Sequence, residues 1–254
     1  GEHLAGSEEA FVARMNERAK ELGMHDTHFL NCTGLPAEGH VTSAYDIALM
    51  SRELILNHPD LRRFTTTWMD SLRNGESLLV NTNKLVRFYP GATGLKTGST
   101  STAKYCISAT AEKDGMELIA VVLGGSTSDK RFADAKALLN YGFAAYTLLP
   151  VVPESPLPAV PVTLGARRQV QAVLPQGSVL LLEKNRANAL TQSLTLSEAV
   201  EAPVEQGDTL GSLDLFTADG TLLSSLPLLA GESVARLTWR QLFCRCASFA
   251  LCIR

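Results

Sequence analysis

The sequence predicts an α+β fold: a region of helices and antiparallel strands, followed by a small all-β domain. Three observations predict it. Residues 1–146 mix helical apolar periods with short apolar strands and hold all five histidines. Residues 161–235 are rich in Val, Leu and Thr, and turn signals at Pro175-Gln176-Gly177, Gln206-Gly207-Asp208 and Ala218-Asp219-Gly220 divide them into short strands. Between the two, 147–160 carries four prolines, which neither a helix interior nor a central strand accommodates. That segment reads as an extended linker.

The elements follow in order. Ser7 is placed to cap a helix with Glu8 and Glu9 in its first turn. Phe11, Met15, Ala19 and Leu22 mark its buried stripe, and Gly23 ends it. Ser43 with Asp46 resembles a capping-box start for a second helix, which runs through Ile47, Met50 and Leu54 and stops before Pro59. Tyr105 to Ala111 reads as a strand, Asp114-Gly115 as a tight turn, and Met116 to Leu123 as the return strand ended by Gly124-Gly125. Asp129 is placed to cap a third helix, with Phe132, Ala135, Leu138, Leu139 and Phe143 on one face.

Composition narrows the function. Apolar residues make up 45% of the 254 and charged residues 19%, with a net charge of −3, which excludes a disordered or highly charged tail protein. The near-neutral, slightly acidic balance also argues against nucleic acid as a partner. Five cysteines are too few, and odd in number, for a disulfide framework. No apolar run is long enough for a membrane-spanning helix. The first residue is Gly1, with no signal segment ahead of it, so the chain is expected to begin partway through a protein.

The chemistry concentrates in Gly94-Leu95-Lys96-Thr97-Gly98-Ser99-Thr100. The Lys-Thr-Gly triplet is weak by itself, but here it opens a strand that leads into a hairpin and a helix. A lysine on an edge strand offers a fixed cation to a carboxylate. The free N–H and C=O groups of the edge can pair with an extended peptide. Gly98 lets a substrate approach closely, and the Ser99 N–H is positioned to donate to a developing oxyanion. The plain alternative is a solvated lysine that guards an edge strand against aggregation.

Several ordered stretches resemble one family. His25-Asp26-Thr27-His28-Phe29 with Asn31-Cys32-Thr33-Gly34-Leu35, then Thr42-Ser43-Ala44-Tyr45-Asp46-Ile47-Ala48, then Asn81-Thr82-Asn83-Lys84-Leu85 and Gly94 to Gly98 are similar to motifs of the serine D-alanyl-D-alanine carboxypeptidases. These are the low-molecular-mass penicillin-binding proteins of peptidase group S11. Residues 161–231, notably Ala202-Pro203-Val204-Glu205-Gln206-Gly207, are similar to that family's β-rich C-terminal domain.

The resemblance implies part of a penicillin-binding-protein/β-lactamase-like transpeptidase domain, an antiparallel sheet between helices, in 1–146. It implies a linker at 147–160, a β-sandwich domain at 161–235 and an amphipathic helix at 236–254. It also implies removal of the terminal D-alanine of a peptidoglycan stem peptide ending in D-Ala-D-Ala, through an acyl-enzyme, with no cofactor. β-Lactam antibiotics are the implied inhibitors of the intact protein. Lys96 and Ser99 would be the catalytic residues here, with Lys96, Thr97, Gly98 and Ser99 binding substrate.

The family's chemistry needs Ser-x-x-Lys, Ser-x-Asn and Lys-Thr-Gly. Only the third is supplied convincingly. No Ser-x-Asn occurs, and the single Ser-x-x-Lys, Ser101-Thr102-Ala103-Lys104, falls where a strand rather than a helix is expected. In a strand, positions i and i+3 face opposite ways. The 254 residues alone are therefore expected to be inactive. A non-catalytic wall- or membrane-associated module is the alternative. A related β-lactamase fits less well, because of the β-rich region and the amphipathic tail.

His25 and His28 lack the spacing and third ligand of a zinc site, so no metal is expected. Cys32 and Cys106 read as packing residues. In the tail, Trp239, Leu242, Phe243, Cys246, Phe249, Ala250 and Ile253 fall on one helical face, and Arg236, Arg240, Arg245 and Arg254 bring cations. Trp239, Leu242, Phe243, Phe249 and Ile253 are the expected anchor on an anionic membrane surface. Together with the resemblance, this implies an exported protein held on the outer face of the cytoplasmic membrane. Helix packing on the β-domain is the alternative for the tail. Its cysteines, Cys244, Cys246 and Cys252, read as membrane-facing apolar packing, with zinc binding or a disulfide as the alternative.

Overall fold

The structure, a computed structural model, describes residues 1–186 and 190–244. It divides into two compact units, Gly1–Ala145 and Tyr146–Arg254.

The first unit contains α1 (Glu2–Ala5), α2 (Glu8–Glu21), α3 (Ala44–Asn57), α4 (Arg62–Thr65), β1 (Met69–Leu72), β2 (Ser77–Val80), α5 (Leu85–Phe88), β3 (Ala92–Thr100), β4 (Lys104–Lys113), β5 (Met116–Gly125) and α6 (Ser128–Ala145). Ser7 and Ser43 cap α2 and α3 as expected: their hydroxyls accept from Ala10 N at 3.1 Å and Asp46 N at 3.2 Å. Gly23, at φ +76°, ends α2 in the left-handed conformation that a side chain would resist. The cap of α6 is Thr127 rather than Asp129. The Thr127 hydroxyl accepts from Lys130 N at 3.1 Å, which places Asp129 one step inside the first turn. Ser43 and Asp46 do not form a reciprocal box either, because the Asp46 carboxylate is engaged elsewhere.

β3, β4 and β5 form an antiparallel sheet in that order. Its two faces differ chemically. On one, Ile107, Ala109 and Ala111 of β4 and Ala120 of β5 pack against Phe132, Ala135 and Leu139 of α6. Each large buried side chain there contributes roughly 1.5–3 kcal/mol. Leu138, expected on the same helical face, is instead 49% exposed. On the opposite face, Ser108 and Thr110 are buried, and the Ser108 and Ser51 hydroxyls join β4 to α3 at 2.7 Å. The sheet thus lies between α6 and α3, joined to the first by apolar packing and to the second in part by hydroxyls.

The segment before α3 is fastened by polar side chains. Asp46, 1% exposed, accepts from Asp26 N at 2.8 Å and from the Thr27 hydroxyl at 2.6 Å. Asn16 both donates to Phe29 O and accepts from Phe29 N, each at 2.8 Å. His28 and Val41 exchange backbone hydrogen bonds. The 25–31 stretch is therefore a stapled loop.

The second unit contains β6 (Tyr146–Pro150), β7 (Ala159–Thr163), β8 (Gln169–Val173), β9 (Val179–Glu183), β10 (Thr191–Leu196), β11 (Val200–Glu201), β12 (Thr209–Phe216) and β13 (Leu222–Ala230). A six-stranded sheet runs β10-β12-β13-β8-β7-β11, and β6 pairs with β9. Val160, Val162, Val170, Ala172, Leu210, Leu213 and Leu228 are among its core residues. Gly211 lies at a register shift in β12, where a Cβ would stand 2.1 Å from Thr195 O.

The boundaries drawn at the linker and tail shift here. Residues 147–150 belong to β6 rather than to a linker, and 159–160 belong to β7; only 151–158 carry no helix or strand. Pro150 ends β6, a position that its missing N–H permits. Within 151–158, Val151 and Leu157 still pack on the core. At the other end, Arg236 pairs with Glu201 at 3.0 Å, and Leu237 N donates to Leu164 O at 2.8 Å. Residues 236–237 thus finish the β-unit.

Candidate active site

Lys96, Thr97 and Gly98 sit in the middle of the nine-residue strand β3 rather than at its opening. Among the described residues the strand is the edge of its sheet, paired only with β4, and its register sets Lys96 opposite Ser108, Gly98 opposite Cys106 and Ser99 opposite Tyr105. Residues paired across an antiparallel ladder share a face. Lys96 and Ser108 therefore look toward α3, into a groove of about 490 Å³. Apart from this strand, the groove is walled mainly by apolar side chains, including Met50, Leu54, Leu61, Phe64 and Leu123.

Lys96 is exposed, and its ammonium donates to the carbonyl of Thr97. That contact places the Thr97 carbonyl on the open side of β3. Groups alternate along a strand, so the N–H and C=O of Ser99 fall on the same open side. Thr97 is 7% exposed, and its hydroxyl is 2.6 Å from that of Thr82. A Cβ at Gly98 would meet nothing within 4 Å, so the approach to this point of the strand is open.

The Asn81-Thr82-Asn83 run braces this strand. Asn83, 2% exposed, donates to Gly94 O at 2.8 Å and accepts from Leu85 N at 3.1 Å. Asn81 accepts from Asn83 N at 2.9 Å and donates to Thr67 O at 2.9 Å. These side chains satisfy backbone groups of the 81–85 turn and tie that turn to Thr67 and to Gly94 of β3.

Arg131, in the first turns of α6, is only 6% exposed. Its Nη1 donates to Gly98 O at 3.0 Å and to Cys106 O at 3.1 Å, while its Nε has no partner. Burial pushes this guanidinium below the ordinary arginine pKa, yet it stays charged at neutral pH. Sequence reasoning passed over Arg131. Its spacing to Ala135 and Leu139, i+4 and i+8, puts it on the buried stripe of α6 and was the signal to follow.

Other candidates fall away from the groove. Ser101, Thr102 and Ala103 form the turn into β4, so Ser101-x-x-Lys104 is not carried on a helix. His25 and His28 are exposed, and no group of three potential metal ligands occurs among the described residues. Cys32 is exposed beside Glu8 rather than packed, whereas Cys106 lines the groove. In the second unit, residues 239–244 are helical, with Trp239 87% and Phe243 75% exposed and Leu242 half-buried. Phe249, Ile253, Cys246 and Cys252 lie outside the described residues. No helix among the described residues is long and apolar enough to cross a membrane.

Residues 1–127 match the family model described as peptidase S11, D-alanyl-D-alanine carboxypeptidase. The chain belongs to the peptidase S11 family. In this S11 chain, residues 151–236 also match the C-terminal domain of penicillin-binding protein 5. The D-alanyl-D-alanine carboxypeptidase DacF of Bacillus subtilis (strain 168) is 39% identical over 240 residues, covering 92% of this chain and 61% of that protein. The S11 chain therefore spans about three fifths of that relative's length. A structure of penicillin-binding protein 5 from Haemophilus influenzae matches with a TM-score of 0.74 at 25% identity, covering 92% of this chain and 69% of the other. Penicillin-binding protein D2 from Listeria monocytogenes in its ampicillin-bound form matches with a TM-score of 0.52 at 38% identity, over 56% of this chain and 59% of the other.

Proposed function

We propose that this chain supplies the substrate-gripping wall of a serine-type D-Ala-D-Ala carboxypeptidase that trims the terminal D-alanine from peptidoglycan stem peptides. The observation that carries this reading is the Lys96-Thr97-Gly98-Ser99 run on the unpaired edge of β3, beside the groove. A peptide lying along that edge gains backbone hydrogen bonds by strand addition. Its terminal carboxylate meets the Lys96 ammonium, while the Thr97 hydroxyl, held by that of Thr82, braces the strand behind it. The Ser99 N–H donates to the oxygen that becomes negative as the scissile carbonyl turns tetrahedral, a donor of the kind worth about 2.7–4 kcal/mol.

The reaction balances as an acyl transfer. A serine oxygen, its proton taken by a lysine, bonds to the carbonyl carbon of the penultimate D-alanine. The C–N bond to the terminal D-alanine breaks, and that nitrogen takes a proton. Water then cleaves the ester, releasing the shortened peptide as a carboxylic acid and regenerating the serine. The nucleophile is assigned to a Ser-x-x-Lys segment outside these 254 residues, and no metal or organic cofactor is invoked. β-Lactams would acylate the same serine, as expected of a chain similar to an ampicillin-bound protein.

The same reading makes the protein extracytoplasmic. Trp239, Leu242 and Phe243 would dip into the outer leaflet of the cytoplasmic membrane, where Arg240 meets anionic headgroups. Flotation with anionic vesicles, with and without residues 239–254, tests this; equal recovery of both forms refutes the anchor.

The test of the enzyme is covalent labelling with a fluorescent penicillin. The chain joined to an S11 segment bearing Ser-x-x-Lys and Ser-x-Asn should label, and the 254 residues alone should not. Absence of label on the folded, joined protein would overturn the reading, and a label on the 254 residues alone would overturn the assignment of the nucleophile.

A further inference from the structure

We propose that Arg131 is a positioning residue for the oxyanion donor: it holds the Gly98–Ser99 peptide by its carbonyl so that the Ser99 N–H faces the groove. The inference rests on the carboxypeptidase reading for its consequence, but its geometry stands apart. The carbonyl of Gly98 and the N–H of Ser99 belong to one planar peptide unit and, in a trans peptide, point in opposite directions. Arg131 Nη1 lies 3.0 Å from that carbonyl and 3.1 Å from the carbonyl of Cys106, the residue paired with Gly98 in β4. Fixing the oxygen toward the interior fixes the hydrogen toward the open edge. A charged donor on the carbonyl also polarises the peptide and strengthens the N–H on its far side.

The placement costs stability, which sets it apart from ordinary packing. A guanidinium 6% exposed is expected to meet a carboxylate, yet no ion pair of Arg131 occurs among the described residues. The nearby Asp134 is taken by Lys130. The Nε is buried without a partner, and the cation stands in the first turns of a helix, where the dipole disfavours positive charge. The rings of Phe132, 4.7 Å away, and Tyr105, 5.6 Å away, cradle it. A leucine or methionine there would satisfy packing without these costs. What such residues lack is the pair of donors to the two strand carbonyls.

Two measurements separate this role from a structural one. In the full 254-residue chain, the Ser99 amide proton is read by NMR in wild type, Arg131→Lys and Arg131→Met. Loss of the polarising donor should move it upfield in Arg131→Met, with Arg131→Lys between. An unmoved Ser99 resonance in either folded variant overturns the proposal. In the chain joined to its nucleophile segment, Arg131→Met should lower kcat about 10–100-fold with KM within about twofold, because the donor acts on the transition state. Arg131→Lys should recover part of the loss. A raised KM with unchanged kcat, or equal loss in both variants at equal melting temperature, refutes the positioning role. If the joined wild type is inactive, the carboxypeptidase reading falls, and the amide shifts still decide the geometry.

Discussion

Asn83→Ala should destabilise the first unit far more than the loss of a small polar side chain suggests. The side chain bridges backbone groups of two different elements: it donates to Gly94 O at 2.8 Å and accepts from Leu85 N at 3.1 Å. Asn83 and Leu85 are 2% and 3% exposed, so water does not replace the lost partner. An unsatisfied buried donor or acceptor costs about 1–3 kcal/mol. Two of them, with partial relaxation, sum to about 3 kcal/mol. For a unit of this size, each kcal/mol lowers the melting temperature by about 3 °C, so a fall of about 10 °C is expected in calorimetry of the full chain. Asn83→Asp keeps the acceptor for Leu85 but sets a buried carboxylate against the Gly94 carbonyl, so at neutral pH it should cost at least as much as alanine. A shift below about 2 °C for alanine would show that the strand start is held by something other than Asn83.

In the joined protein, Lys96→Met should reduce kcat/KM for a D-Ala-D-Ala peptide by about 10²-fold while leaving the fold intact, since Lys96 is exposed; an activity loss below threefold by steady-state kinetics would contradict the carboxylate role. The buried Ser51–Ser108 pair should respond asymmetrically to truncation. The Ser51 hydroxyl donates to Ile47 O at 2.6 Å, so it accepts from Ser108. Ser51→Ala then strands a buried donor and costs about 1–3 kcal/mol, while Ser108→Ala costs about 1 kcal/mol or less in urea unfolding. Tyr89, whose hydroxyl donates to Asn140 at 2.9 Å, has its pKa raised above 10.0 by burial. Its neutral form is favoured in the fold, so this contribution is complete below about pH 10.0 and is lost as pH rises through the raised value; Tyr89→Phe should flatten the alkaline limb of a stability–pH curve. In the β-unit, Gly211→Ala should cost about 1–3 kcal/mol, because the backbone of Thr195 and Leu196 stands where a Cβ would go.

How much of this was legible in the sequence depended on the range of the interaction concerned. Caps at Ser7 and Ser43, the Asp114-Gly115 turn with positive φ at both residues, and the stop before Pro59 are local chemistry, and each appears where its residues put it. The Lys-Thr-Gly edge was legible because its strand is followed at once by the one it pairs with. Long-range features were not. Whether 147–150 is linker or strand depends on pairing with Val179–Glu183, some thirty residues on, and the prolines nearby masked it. Thr127 and Asp129 are both good caps, and only the backbone turn chooses between them. Arg131 reads as one more surface charge until β3, thirty-three residues earlier, is laid against it. Cys32 looked apolar by type but lies on a stapled loop that leaves it in solvent.

The unequal faces of the central sheet have a consequence for how this unit comes apart. Against α6 the contact is oil on oil, which water enters only at the cost of opening the whole layer. Against α3 the seam includes paired hydroxyls, whose hydrogen bonds water can replace one for one. Local opening should therefore begin on the α3 side, with amides of 44–57 exchanging with heavy water ahead of those of 128–145. The flank that borders the groove would be the one that breathes, and the flank behind the strand the one that keeps its shape.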